Sequence, residues 1–68
     1  MSRRWVEVTD NVWVTGHLQY RAVVIQITNN WVARVEDGEN LYPASVTFHA
    51  IEGAKAWAER KLQELAHP

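Results

Sequence analysis

Apolar and polar residues alternate along the first two thirds of this chain, and the alternation predicts a series of short β-strands. Runs rich in β-branched and aromatic residues are separated by turn-forming pairs such as Asn29-Asn30 and Asp37-Gly38. The predicted strands cover residues 4–8, 12–15, 20–28, 31–36 and 44–48. The centre of the longest run, Val23-Val24-Ile25, is continuously apolar, which predicts a central strand covered on both faces.

After residue 50 the spacing of apolar residues changes from two to about 3.6, which predicts a helix over residues 51–65. Its apolar stripe consists of Ile51, Ala54, Ala58, Leu62 and Leu65. The nearest capping candidate is Thr47, so the start of the helix is left open. Strands followed by one helix predict a single α+β domain over residues 1–68, an antiparallel sheet of three to five strands with a C-terminal amphipathic helix packed on one face.

The register between the third and fourth predicted strands depends on the length of the turn that joins them. The apolar residues of the two strands share one face only if Ile27 lies opposite Trp31. That pairing requires an odd-numbered loop over residues 28–30, with Asn30 in the left-handed conformation. A two-residue Asn29-Asn30 loop would instead set Ile25 opposite Arg34. We predict the odd-numbered loop.

The composition restricts the chemistry that the chain can perform. Its 68 residues include no cysteine, which excludes disulfide frameworks, thiolate zinc sites and thiol nucleophiles. The net charge of −1 gives no overall attraction to nucleic acid. A core this small favours oligomerisation, so we expect a homodimer. Because no run is apolar and long enough for a signal peptide or a membrane span, we expect a soluble chain in the cytoplasm, or in a host cytoplasm if it is phage-encoded, with no membrane partner.

No catalytic or ligand-binding motif is found in the sequence. The three histidines, His17, His49 and His67, lack the spacing of metal ligands. There is no nucleophile elbow and no glycine-rich phosphate loop. We therefore expect no enzymatic activity and no catalytic, cofactor-binding or metal-binding residues.

Four tryptophans are more than a core of this size is expected to enclose. We expect Trp57 to dock on the sheet and Trp31 to lie in the core. The others are either large β-forming residues at the core margin or part of an apolar patch that binds a protein partner or a second copy. The candidate interface residues are Trp5, Trp13 and Tyr20.

Arginines recur on the predicted strands and suggest an alternative function in nucleic-acid binding. If the strands are neighbours, their guanidinium groups form a basic stripe that could contact phosphates. The competing interpretation is a solvated face whose charge is balanced by Glu7 and Glu36. The candidate nucleic-acid contacts are Arg3, Arg4, Arg21 and Arg34.

The C-terminal part of the chain resembles a known DNA-binding family. Its motifs are Trp31-Val32-Ala33-Arg34-Val35, then Thr47-Phe48, then Ala54-x-Ala56-Trp57-Ala58. Over residues 20–65 they are similar to the arm-type DNA-binding domain of tyrosine-recombinase integrases. The resemblance implies a three-stranded antiparallel sheet on one C-terminal helix. It also implies a sheet that enters the major groove and presents Arg21, Val32 and Arg34 outwards.

The chain is also similar in type to small stand-alone proteins of phages and mobile elements, including anti-CRISPR inhibitors. This similarity rests on size, the absence of cysteine and the surplus of aromatic residues. The sequence thus predicts a small non-enzymatic protein-interaction module, encoded by a phage or mobile element, that binds a host or self partner. The alternative is a sheet-type DNA-binding domain, and a third interpretation is a structural accessory subunit.

Overall fold

Each β-forming run pairs with the next one along the chain, and the helix follows the last of them. A computed structural model describes residues 4–67. The elements are β1 (Val6–Thr9), β2 (Val12–His17), β3 (Tyr20–Ile27), β4 (Asn30–Glu36), β5 (Leu41–Pro43) and α1 (Ile51–Ala66). The strands form one antiparallel sheet in the order β1-β2-β3-β4-β5. The predicted α+β class, with an antiparallel sheet and one C-terminal helix, is confirmed.

The first four predicted strands agree with the structure to within two residues at each end, but the fifth was placed too late. The last strand is Leu41–Pro43, where residues 44–48 were predicted. After Ala44, whose N–H donates to the Ala33 carbonyl oxygen at 2.9 Å, the chain leaves the sheet. It returns at Phe48, which exchanges two backbone hydrogen bonds with Trp31 at 2.7 and 2.8 Å. Proline provides no N–H, so a strand that ends at Pro43 fits the edge of the sheet.

Helix α1 packs across β3 and β4 through the predicted apolar stripe. Ala54, Ala58 and Leu62 are fully buried. On the sheet side they meet small and β-branched side chains, Ala22, Val24, Ala33 and Val35. The four core alanines let the helix lie close to the sheet, because they add little volume between the two layers.

Helix α1 begins at Ile51, as predicted, but it has no side-chain cap and the capping candidate Thr47 is not its N-cap. The N-cap is Ala50, whose backbone is extended (φ −129°, ψ 148°), and no side chain accepts a hydrogen bond from the first turn. Gly53 in this turn lies against Phe48, since a β-carbon there would be 3.4 Å from the Phe48 Cδ1 atom. Phe48 thus ties the returning loop to the start of α1.

The predicted odd-numbered loop between β3 and β4 is wrong. The turn has two residues, Thr28 and Asn29, and sets Ile27 opposite Asn30 and Gln26 opposite Trp31. It starts at Thr28, like the predicted loop over residues 28–30, but it ends one residue earlier, at Asn29. Thr28, and not the predicted Asn30, adopts the positive φ, at 58°. A shift of one residue exchanges the two faces of a strand. The helix therefore covers Ala22 and Val24, where the sequence predicted Val23, Ile25 and Ile27 on the shared apolar face.

Substitution of Thr28 by glycine is expected to stabilise the protein by about 1 kcal/mol. A β-branched side chain is strained in the left-handed region, whereas glycine adopts it freely. The measurement is the free energy of unfolding from urea titration. The matched control is Thr28→Ala, which keeps a β-carbon and should gain less. A glycine variant no more stable than the alanine variant would contradict the expectation.

Candidate binding surface

One face of the sheet is left uncovered by α1, and most of its side chains are aliphatic. Successive residues of a strand point to opposite faces, so the residues that alternate with the core positions face away from the helix. We call this surface the open face. Its apolar part consists of Val6, Val12, Val14, Val23, Ile25, Ile27, Val32, Leu41 and Pro43.

The aliphatic side chains in the middle of the open face pack against one another. Val14 lies opposite Val23, and Ile25 lies between Val12 and Val32 on the neighbouring strands. Val23 is only 5% exposed, although no element within residues 4–67 covers it. At the margin, Ile27 is 54% exposed. The result is a continuous apolar surface across β2, β3 and β4.

A shallow apolar groove of about 270 Å³ runs along the open face between β3 and the end of β5. Val23, Ile25 and Val32 form its floor, and Pro43 and Arg34 are among the residues beside them. This volume is slightly below the range that is typical of small-molecule sites, which starts at about 300 Å³. The groove is suited to receiving one or two apolar side chains of a partner.

The polar end of the open face is a cluster of two arginines and one glutamate. Arg21 donates to the Glu36 carboxylate through Nε at 2.9 Å and through Nη2 to the same oxygen. Arg34 Nε donates to the other carboxylate oxygen at 3.4 Å. The hydrogen bonds from Arg21, helped by its positive charge and by Arg34, hold the pKa of Glu36 below its usual value against a smaller opposing effect of burial. The cluster therefore keeps one net positive charge.

The lowered pKa of Glu36 predicts a loss of stability in acid. A depressed carboxyl pKa contributes stability that is complete above the unfolded-state pKa, about 4.3, and is lost as the pH falls through the lower folded-state pKa. We expect Glu36→Gln to be less stable than the parent near neutral pH and to lose less stability below about pH 4.3. The measurement is the urea midpoint between about pH 7 and 2. Parallel profiles for the two proteins would contradict the assignment.

The turn beside this cluster lies where the Asp37-Gly38 pair predicts one, and the Asp37 carboxylate closes it. Its Oδ1 atom accepts the backbone N–H of Glu39 at 3.0 Å and of Asn40 at 2.7 Å. The hydrogen bond from the Asn40 N–H, followed by that from Glu39, lowers the pKa of Asp37. Gly38 has a φ of 95°, a conformation that favours glycine. The turn thus places acidic side chains next to Arg21.

The candidate interface residues Trp5, Trp13 and Tyr20 are partly buried and have partners within the chain on the helix side of the sheet. Trp5 Nε1 donates to a carboxylate oxygen of Glu59 at 2.7 Å. Lys55 Nζ lies 4.2 Å from the ring centroid of Trp13 and 5.6 Å from that of Trp5. The Tyr20 hydroxyl lies 3.4 Å from the Leu65 carbonyl oxygen, to which it donates. These contacts hold β2, β3 and the segment before β1 against α1. A role of the three residues in an interface stays a prediction.

The other two tryptophans lie at the edge of the core. Trp31 and Trp57 are partly buried and pack against the core cluster between α1 and the sheet. Trp57 thus packs against the core as predicted, whereas Trp31, which was expected in the core, is only partly buried at its margin. All four tryptophans are of intermediate burial, so none forms a fully exposed patch.

The candidate nucleic-acid contacts are only partly brought together. Arg21 and Arg34 lie on neighbouring strands and on the open face, and both bind Glu36. Arg4 is exposed and precedes β1, at the far side of the sheet from β4. Arg3 lies outside the described residues. The structure thus supplies a pair of arginines partly neutralised by Glu36.

Two of the three histidines lie close together. The rings of His17 and His67 lie 6.0 Å apart, and the Nε2 atom of His17 is buried without a hydrogen-bond partner. His49 is exposed in the segment before α1. Within residues 4–67, no three histidine or acidic side chains are close enough together to hold a metal ion.

The sequence does not identify the open face as a site, because the predicted register places Val23, Ile25 and Ile27 on the core side of the sheet. The signal was present in the sequence, since the third strand is apolar at consecutive positions and not at alternate ones. A strand of that kind needs cover on both faces. The helix provides cover on one face, and no element within residues 4–67 provides it on the other.

The resemblance to integrase arm-type domains stays a prediction.

Among the described residues, no helix combines the length and the apolar character that crossing a bilayer requires. Comparison of this chain with protein-family models, with curated proteins and with solved structures finds no match.

Proposed function

We propose that this chain is a small non-enzymatic protein-binding module of the cytoplasm that docks its partner on the open face. The observation that carries the proposal is the continuous aliphatic surface of β2, β3 and β4, which no element of residues 4–67 covers. A homodimer and a phage- or mobile-element-encoded binder of a host protein are both forms of this function.

The energetics of the open face favour a protein partner. The backbone groups of β2, β3 and β4 are paired in the ladder, so the centre of the face offers few free donors or acceptors. The open face contributes to the free energy of binding through the burial of apolar surface, about 25 cal/mol for each Å² removed from water. A partner that supplies a complementary apolar surface gains this energy without leaving polar groups unpaired.

DNA binding through the same face is the alternative, and Arg21 and Arg34 are the residues that favour it. Readout of base edges requires hydrogen-bonding side chains in the middle of the sheet, where this chain has Val23, Ile25 and Val32. Of the two guanidinium groups, one positive charge remains after pairing with Glu36. We therefore expect no binding of mixed-sequence duplex DNA in fluorescence anisotropy, even at low salt. Micromolar, salt-sensitive binding that Arg21→Ala weakens would favour the alternative.

The proposed function is tested by site-specific photo-cross-linking in cells that express the chain naturally. A photoreactive amino acid replaces Val32 on the open face and, as the matched control, Gln63 on the exposed side of α1. We expect one defined adduct from position 32, identified by mass spectrometry, and none from position 63. The adduct should be lost when Ile25→Lys places a charge in the same face. Equal yields at both positions, or no adduct at position 32, would overturn the proposal.

A further inference from the structure

We propose that His17 and His67 form a two-histidine site for a divalent transition-metal ion, where the β2–β3 turn meets the end of α1. His17 is the last residue of β2, and His67 directly follows α1. Their rings lie 6.0 Å apart, with the ring planes inclined by 47°. This site is separate from the open face, because His17 alternates with Thr15 and therefore lies on the helix side of the sheet.

The distance between the two rings suits a shared metal ion. An imidazole nitrogen binds zinc at about 2.0–2.1 Å. The centres of two rings that share one ion then lie roughly 5–6.5 Å apart, depending on the angle between the two bonds. The observed 6.0 Å falls within this range. Packed aromatic rings are found at similar distances, so the ring nitrogens must decide between the two interpretations.

The Nε2 atom of His17 is the observation that points to a ligand. It is buried, and no described residue provides it with a hydrogen-bond partner. No other buried side-chain nitrogen or oxygen within residues 4–67 is left in this state. Such an atom costs free energy, because it loses water without gaining another polar contact. A metal ion bound at Nε2 supplies the missing contact, whereas packing of two rings does not.

The fold brings the two histidines together through contacts that need no metal. Within the hairpin of β2 and β3, His17 pairs with Tyr20. The Tyr20 hydroxyl donates to the Leu65 carbonyl oxygen at 3.4 Å, which joins the hairpin to the last turn of α1. The His67 N–H donates to the Gln63 carbonyl oxygen at 2.9 Å and so continues that turn. Binding an ion therefore requires little further ordering of the backbone.

The charges at this end of α1 favour a cation. The carbonyl groups of the last turn give the C-terminal end of a helix a partial negative charge. That turn contains Glu64 and no basic residue. Lys61 lies one turn earlier, with its Nζ atom 3.7 Å from the Glu64 carboxylate. An ion beside His67 is thus placed at the negative end of the helix.

The two imidazole groups determine the class of metal. Imidazole is a ligand for zinc, copper and nickel, whereas magnesium and calcium require oxygen ligands. Because no three histidine or acidic side chains of residues 4–67 lie close together, water completes the coordination. With two protein ligands we expect a dissociation constant for Zn²⁺ on the order of 10–100 µM, and tighter binding of Cu²⁺.

Calorimetric titration of the untagged chain with Zn²⁺ at neutral pH tests the site. We expect one ion for each chain and binding at least about tenfold weaker for His17→Gln and for His67→Gln. The matched control is His49→Gln, since His49 is exposed in the segment before α1, and its affinity should equal the parent's. Mg²⁺ should not bind. Equal affinities of the parent and His67→Gln, or no binding at about 1 mM Zn²⁺, would overturn the proposal.

Nuclear magnetic resonance of the chain labelled with ¹⁵N-histidine identifies the atoms that bind. Zn²⁺ should shift the ring nitrogen signals of His17 and His67 and leave those of His49 in place. A shift of a single histidine, or equal shifts of all three, would show binding without the pair and overturn the site. Circular dichroism establishes that each variant is folded. Because His67 lies after the last element, His67→Gln keeps the test decisive even if His17→Gln unfolds.

Discussion

Replacement of Leu62 by alanine is expected to lower the free energy of unfolding by about 3 kcal/mol. Leu62 is the largest side chain that is fully buried, with 0% exposure, and it packs between α1 and the sheet. The substitution removes apolar contacts and leaves a cavity that the neighbouring strands cannot fill completely. A chain of this length has a total stability of roughly 3–10 kcal/mol, so the loss is a large part of it.

The measurement is urea unfolding followed by tryptophan fluorescence at one fixed chain concentration, because association would add to the apparent stability. The matched control is Leu18→Ala, since Leu18 is 71% exposed in the β2–β3 turn and loses the same atoms. Its stability should change by less than about 0.5 kcal/mol. Similar losses for the two variants would show that Leu62 is not the centre of the core.

The helix was predictable from sequence because its period needs no knowledge of the sheet. Ala54, Ala58 and Leu62 are spaced at helical intervals, and all three are buried. The register of the sheet was not predictable in the same way. It depends on the conformation of Thr28, and a positive φ at a β-branched residue runs against its local preference. The Asn29-Asn30 pair correctly marked the turn but not the residue at which it starts.

The wrong register between β3 and β4 also explains why the sequence does not identify the open face. When a strand is apolar on both sides, the pattern alone cannot decide which side meets the helix. Ala22 and Ala33 are the smaller residues, and they face α1, while the bulkier Ile25 faces outwards. Trp5 and Trp13 are predicted at the interface because a small core is not expected to enclose four tryptophans. In the structure Glu59 of α1 contacts Trp5, and Lys55 of α1 contacts Trp13. These residues are far apart in sequence, so no local sequence pattern indicates the contacts.

The close approach of α1 to the sheet predicts the second large effect, a loss of about 2 kcal/mol on replacing Ala58 with leucine. Ala58 is fully buried among Ala22, Val24 and the other core residues. Three added carbon atoms have no space there unless the helix moves away from the strands or the side chain leaves its preferred rotamer. Both responses cost energy, although leucine is nearly as good a helix former as alanine.

The same substitution two residues earlier provides the control. Ala56 is exposed on the outer side of α1, so Ala56→Leu adds the same atoms to the same helix without crowding the sheet. We expect the free energy of unfolding of Ala56→Leu to lie within about 0.5 kcal/mol of the parent's. The urea midpoint of Ala58→Leu should fall. Because Leu62→Ala and Ala58→Leu change the core volume in opposite directions, destabilisation by both requires a closely fitted interface. An unchanged midpoint for Ala58→Leu would instead mean that the layers separate at little cost, and that the alanines do not set the distance between helix and sheet.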